Sequence, residues 1–192
     1  MRDIVIPNAN EQELLEMAQV LGYCEVVFLY QKAKDFWKGK SEVKVTCMTY
    51  GSNQGASAIK LTEKNARLTF EKWKPQLAWG AESLPIRDKM HERASGLNHI
   101  TTRFASEAGT AIAFSLADVL GAKKQAEVLG RMSQNIMLCR KAKTKMIIGS
   151  FASTPQAMRA PRDIIGLFVT LGMHRKEAQD ALQCEEVTSS KK

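Results

Sequence analysis

The sequence is poor in the groups that metal-dependent and nucleophilic catalysis need. Its three histidines, His91, His99 and His174, include no pair at a His-x-His or His-x-x-x-His spacing. The first predicted strand, residues 2–6, carries Asp3 but no histidine, so the simplest form of a barrel metallohydrolase is missing. Gly-x-Ser-x-Gly does not occur, and Gly51-Ser52-Asn53-Gln54-Gly55 lacks the lysine and the spacing of a phosphate-binding loop. That stretch reads as a tight loop after a strand. The four cysteines, Cys24, Cys47, Cys139 and Cys184, lie far apart with no Cys-x-x-Cys, which points to reduced, mostly buried thiols in a cytoplasmic protein. No apolar run approaches a membrane span, and residues 1–7 lack the apolar stretch of a secretory signal, so no membrane partner is expected. Acidic residues are also short, 20 against 28 lysines and arginines, giving a net charge of +8 and a pI near 9.4. Such an excess favours anionic partners but does not select among nucleic acid, acidic protein and anionic surface.

What is present is an alternation of short apolar runs with longer amphipathic stretches. Strands are predicted over residues 2–6, 25–29, 43–48, 58–61, 76–79, 110–114 and 145–148. Helices are predicted over 10–21, 62–74, 97–108, 122–142, 161–171 and 175–182, with Gly22, Pro75, Gly109 and Gly172 as stops. The longest helix presents Leu129, Met132, Ile136 and Cys139 as its core stripe. Repeated strand-then-helix units predict a parallel sheet with helices outside it, an α/β barrel of the TIM type. A full eight-unit barrel runs to about 250 residues, so 192 residues predict a compact version. The reading is one domain over residues 1–184 with a flexible polar tail over 185–192.

Cations cluster in two places. Residues 121–149 hold Lys123, Lys124, Arg131, Arg140, Lys141, Lys143 and Lys145 against a single acid, Glu127. Lys124 and Arg131 are seven apart and share a helical face, and Glu127 and Arg131 are spaced for an ion pair. Such a face is either simply solvated or tracks phosphates. A second group, Lys32, Lys34, Lys38, Lys40 and Lys44, surrounds Phe36 and Trp37. These aromatics read first as anchors into the core, with base stacking as the alternative. Two helix entries add polar residues. Ser95 or Asn98 can cap the helix after residue 97, and Arg159-Ala160-Pro161-Arg162-Asp163 opens another. There Arg159 and Arg162 are expected near the C-terminal rim of the preceding strand's loop.

Five motifs occur in order: Arg93-x-Ser95-Gly96-Leu97-Asn98, Ile112-Ala113-Phe114-Ser115-Leu116, Ser150-Phe151-Ala152, Arg159-x-Pro161-Arg162-Asp163 and Leu171-Gly172-Met173. Together they resemble ribonuclease P protein component 3, the thirty-kilodalton subunit family of archaea and eukaryotes. The resemblance is good over residues 93–182 and weaker over 1–75. It implies a TIM-type barrel and a subunit of the ribonucleoprotein that removes 5′ leaders from precursor tRNA. It implies that the chemistry belongs to the RNA component and its magnesium ions, with no catalytic residue, metal or cofactor on the protein. The implied partners are ribonuclease P RNA, precursor tRNA in the holoenzyme, and a small ferredoxin-like subunit. Expected RNA contacts are Arg93, Asn98, His99, Lys123, Lys124, Arg131, Arg159 and Arg162. The family's barrel is related to metal-dependent phosphoesterases, which makes that activity the alternative. The stretch between residues 79 and 93 is short for the family, leaving room for one strand–helix unit fewer.

Overall fold

A computed structural model describes residues 1–88, 90 and 93–183. His91, Cys184 and the predicted tail at 185–192 lie outside these residues. Seven strands form one sheet in sequence order, every neighbouring pair parallel. They are β1 (Arg2–Val5), β2 (Glu25–Tyr30), β3 (Lys44–Gly51), β4 (Ala58–Lys60), β5 (Leu77–Trp79), β6 (Ala111–Ser115) and β7 (Met146–Gly149). The helices are α1 (Glu11–Val20), α2 (Ala66–Leu68), α3 (His99–Ala108), α4 (Leu116–Leu120), α5 (Gln125–Ala142), α6 (Pro161–Thr170) and α7 (Arg175–Gln183). This is the predicted TIM-type barrel with seven strands in place of eight.

Closure between β7 and β1 depends on a side chain. The strands meet through one bridge, Val5 with Ala152, and the bonds Phe151 N–H to Ile4 O and Ile6 N–H to Ala152 O. Below these, the buried Asp3 carboxylate accepts the Ser150 N–H at 2.7 Å and the Ser150 hydroxyl at 2.6 Å. Burial pushes the Asp3 carboxyl up to about 6, although the Ser150 bonds pull it down. The Ser150-Phe151-Ala152 motif is therefore the clasp of the barrel. Phe151 takes the left-handed conformation, φ 52°, and lays its ring 5.5 Å from Trp79.

Alternation along the strands divides the core. Ile4, Val27, Leu29, Leu77, Trp79, Ala113 and Ile147 fill the barrel. Ile112, Phe114 and Ile148 face outward and pack under α5, α6 and α7. The α5 stripe is Val128, Met132, Ile136 and Cys139, with Leu129 only partly buried, so the predicted stripe was right in three of four positions. The same face also buries Arg131 and Asn135. Around β2 the cover is different. Phe36 and Trp37 pack on Tyr30 and Phe28 at 5.7 and 6.3 Å, so these aromatics are core anchors. The predicted helix over 62–74 is broken. A short α2 passes into a wide π-type turn, Thr69–Trp73, that ends on Lys74 with φ 47°. Of the cysteines, Cys139 is buried and Cys47 half-buried. Cys24 is exposed and accepts from the N-terminal ammonium at 2.9 Å, against the expectation of burial.

Candidate nucleic-acid interface

In a parallel barrel the loops after the strands share one rim. The β5–α3 and β6–α5 connections meet there and enclose a cleft of about 910 Å³. Its lining includes Arg87, Asp88, Lys123, Lys124, Glu127 and Arg131.

Arg131 does not present itself to this cleft. Its side chain is 3% exposed. It donates to the carbonyls of Glu82, Leu84 and Ile86 and to the carboxylates of Asp88 and Glu127, the last two at 2.8 and 2.7 Å. Residues 82–88 have no ladder of their own, and a buried carbonyl without a donor is costly. Arg131 supplies those donors, so the expectation that it contacts RNA is corrected. Burial is the largest single influence and would raise the Asp88 carboxyl, but the hydrogen bonds from Arg131 and the Ala94 N–H, with the charges of Arg131 and Arg93, together hold it below its ordinary range. The predicted Glu127–Arg131 pair exists, but it points inward and locks the loop.

Arg93 stays half-exposed, 4.0 Å from Asp88. Its guanidinium lies across Gly130 of α5, where an added Cβ would come within 2.4 Å of it. Its backbone is pinned on both sides by Gln134. Gly96, with φ 72°, lets the loop turn against Leu84, and Ser95 donates to Asn135 at 2.6 Å. Asn98 is the α3 cap: its carboxamide oxygen accepts from Ile100 and Thr101 N–H, and Thr101 answers with its hydroxyl. This is a full capping box. His99 opens the helix, exposed. Lys123 and Lys124 are exposed ahead of α5, and Lys124 reaches Glu127 at 3.4 Å.

Arg159 and Arg162 belong elsewhere. After β7 the chain runs down the outside of α1. Asn10, at the start of α1, bonds Ser153 O, and Tyr23, past its end, donates to Arg159 O at 2.8 Å. Because α1 carries the chain from the end of β1 back to the start of β2, Arg159 lies away from the rim. The expectation that placed both arginines there is corrected. Arg159 also donates to Gln156 O and Met158 O, and Arg162 is exposed in the first turn of α6. The eight predicted residues thus divide into a rim group (Arg93, Asn98, His99, Lys123 and Lys124), a buried clamp (Arg131) and an outer-wall pair (Arg159 and Arg162).

Sequence reasoning missed Arg87 at the cleft and two carboxyls beneath it. Glu82 is fully buried, and burial with Asp118 nearby pushes its carboxyl up to about 8. Neither of its oxygens has a well-formed hydrogen bond, and Nδ2 of the facing Asn135 is likewise unpaired. Burial also raises Asp118, against the pull of Lys60. These carboxyls hold protons readily and suit a cation poorly. Among the described residues no group of three or more His, Cys, Asp or Glu side chains is arranged to hold a metal. No helix among them is long and apolar enough to cross a membrane.

Fold and surface define a parallel barrel with seven strands among the described residues, with a buried arginine clamp beneath one loop and exposed cations at its rim and wall. The family model for RNase P subunit p30 matches residues 85–192, more than half of the sequence. The chain belongs to this family. Ribonuclease P protein component 3 from Methanothermobacter thermautotrophicus and that from Methanococcoides burtonii are each 35% identical over 92 residues. These matches cover 47% of the chain and only 38% of the length of either relative. A chain of the archaeal ribonuclease P structure with mature tRNA superposes with a TM-score of 0.69 at 15% identity, covering 98% of this chain and 100% of that one. Histidinol phosphate phosphatase from Lactococcus lactis, solved with zinc, L-histidinol and phosphate, gives a TM-score of 0.63 at 11% identity, covering 90% and 94%. At these identities both likenesses speak to the fold.

Proposed function

We propose that this protein is a ribonuclease P subunit that binds and supports the catalytic RNA during removal of the 5′ leader from precursor tRNA. Membership of the p30 family over residues 85–192 carries this reading. The exposed cations supply the means: Arg87, Arg93, Lys123 and Lys124 at the rim, and Arg159 and Arg162 on the wall. Clustered cations displace counterions from a phosphate backbone, which gives affinity without base selection. The holoenzyme is the endoribonuclease, its magnesium ions sit on the RNA, and this chain contributes no catalytic group. The partners are ribonuclease P RNA, precursor tRNA and a small ferredoxin-like subunit, in the cytoplasm. A metal-dependent phosphoesterase has only the shared barrel in its favour.

The test is cleavage of precursor tRNA by the cognate RNA and partner subunit, with and without this chain, across a magnesium series. Addition is expected to raise activity and lower the magnesium requirement; no change in either overturns the reading. Lys123→Ala with Lys124→Ala, and separately Arg159→Ala with Arg162→Ala, should each weaken RNA binding. Each lost phosphate contact flattens the salt dependence by roughly one unit of slope. An unchanged slope in a folded double variant removes that pair from the interface.

A further inference from the structure

One flank of the sheet is left open among the described residues. Strand β3 pairs with β2 from Lys44 to Thr49, but with β4 only at Tyr50 and Gly51. In a parallel ladder each residue turns its N–H and C=O to one side and the next residue to the other. Lys44 N–H donates to Cys24 O on the β2 side. Val45 and Cys47 therefore direct their backbone groups to the opposite side, where no strand stands. No helix covers the strand either. The β2–β3 connection holds a single 3-10 turn, Ala33–Asp35, and residues 52–57 hold no helix. From Val45 to Gly51 every residue is half-buried, whereas β5 and β6 are buried throughout.

Lysines frame this opening. Trp37 packs on Phe28 in the same apolar cluster as Val45 and Cys47, which lays the strap with Lys38 and Lys40 against the outer face of β3. Lys44 stands at its foot but is paired with Glu25, so the framing charge is that of Lys38, Lys40, Lys72 and Lys74. Across the gap Gln76 shares a small apolar opening with Met48, and the exposed Lys72 and Lys74 precede it. Of the acids nearby, Glu25 pairs with Arg2 and Lys44 and Glu71 with Arg67, Glu42 accepts from Gln19, and the exposed Asp35 lies at the other end of the strand, beside Tyr50.

We propose that this flank takes an extended acidic segment of a partner protein as an added strand beside β3. Unpaired amides and carbonyls at strand spacing recognise a peptide backbone, and the framing charge selects acidic side chains. A second copy of this chain would bring lysine against lysine. An RNA has no backbone amides to complete the ladder.

Amide exchange in the full chain tests the proposal, with an eight-residue peptide of alternating valine and glutamate as the probe. The peptide should slow exchange at Val45 and Cys47 by roughly tenfold or more. A peptide of alternating valine and lysine should have no effect. Cys47→Pro keeps the β2 ladder, because the lost N–H faces the gap, and should abolish binding. Lys38→Glu with Lys40→Glu, which leaves the backbone intact, should weaken binding by roughly tenfold. The proposal is overturned by the absence of binding, or by binding without protection of Val45 and Cys47. It is equally overturned if these amides are protected by rising protein concentration alone or by an unpaired oligonucleotide.

Discussion

Strands β1–β4 and strands β5–β7 belong to one sheet, but they are covered by different means. Over β5–β7 lie α3, α5, α6 and α7, and their shared apolar cluster contains Ile112, Phe114, Met132, Ile136 and Phe168. Two of these helices have specific fittings: α3 the Asn98 capping box, and α5 the Arg131 clamp and Gly130 under Arg93. Over β1–β4 there is α1, a strap held by Phe36 and Trp37, and an open flank. An aromatic anchor asks only for size and apolarity, whereas a cap or a clamp asks for one residue type in one place. The family match begins at residue 85, where the fittings begin.

The largest effect that would break this contrast is at the clamp. Arg131→Ala leaves three carbonyls without their side-chain donor, removes one partner from each of two carboxylates, and should cost about 4 kcal/mol, read from denaturant midpoints. A cost no larger than that of a surface substitution would mean that residues 82–88 are held by something else.

Glu82 comes next. Its folded value, about 8, lies above the ordinary 4.5. The folded protein therefore holds the proton more tightly than the unfolded chain. Stability is fully present below pH 4.5 and is lost as pH rises through 8. Glu82→Gln should remove that slope and gain roughly 5 kcal/mol above pH 8, measured by unfolding across a pH series. A slope unchanged by the substitution would show that Glu82 is ionised in the fold.

In the first half, Trp37→Ala should cost about 2 kcal/mol, because the ring is only half-buried. The loss should appear locally, as faster amide exchange in β2 and β3 with β6 and α5 unaffected. Uniform acceleration would erase the distinction between the halves. Asn98→Ala, at about 1 kcal/mol, is the smallest. It should shift the thermal midpoint without changing the strap.

The strands and most helices were legible in the sequence because period and stop residues agreed. Gly109 and Pro161 marked their helices to the residue. The rest was hidden for physical reasons. Arg131 looked like surface because its partners are mainly backbone carbonyls, which carry no sequence signal. Leu129 displaced Val128 in the predicted stripe because both are apolar and one position apart. The position of Arg159 depends on residues 153–158 following α1, a path that no local pattern encodes. Of the expected RNA contacts, the lysines at 123 and 124 are exposed as anticipated, while Asn98 is spent on a cap.

The Asp3–Ser150 clasp joins residues 147 positions apart. During synthesis β1 emerges well before β7 and has no partner on that side until β7 has been made. Closure of the barrel is thus among the last events of folding, and contacts of such long range are slow to form. Until then the nascent sheet has a free edge at β1 as well as at β3, and the waiting carboxylate is in water, where it is charged. The barrel shuts only when Ser150 arrives to take that charge out of solvent.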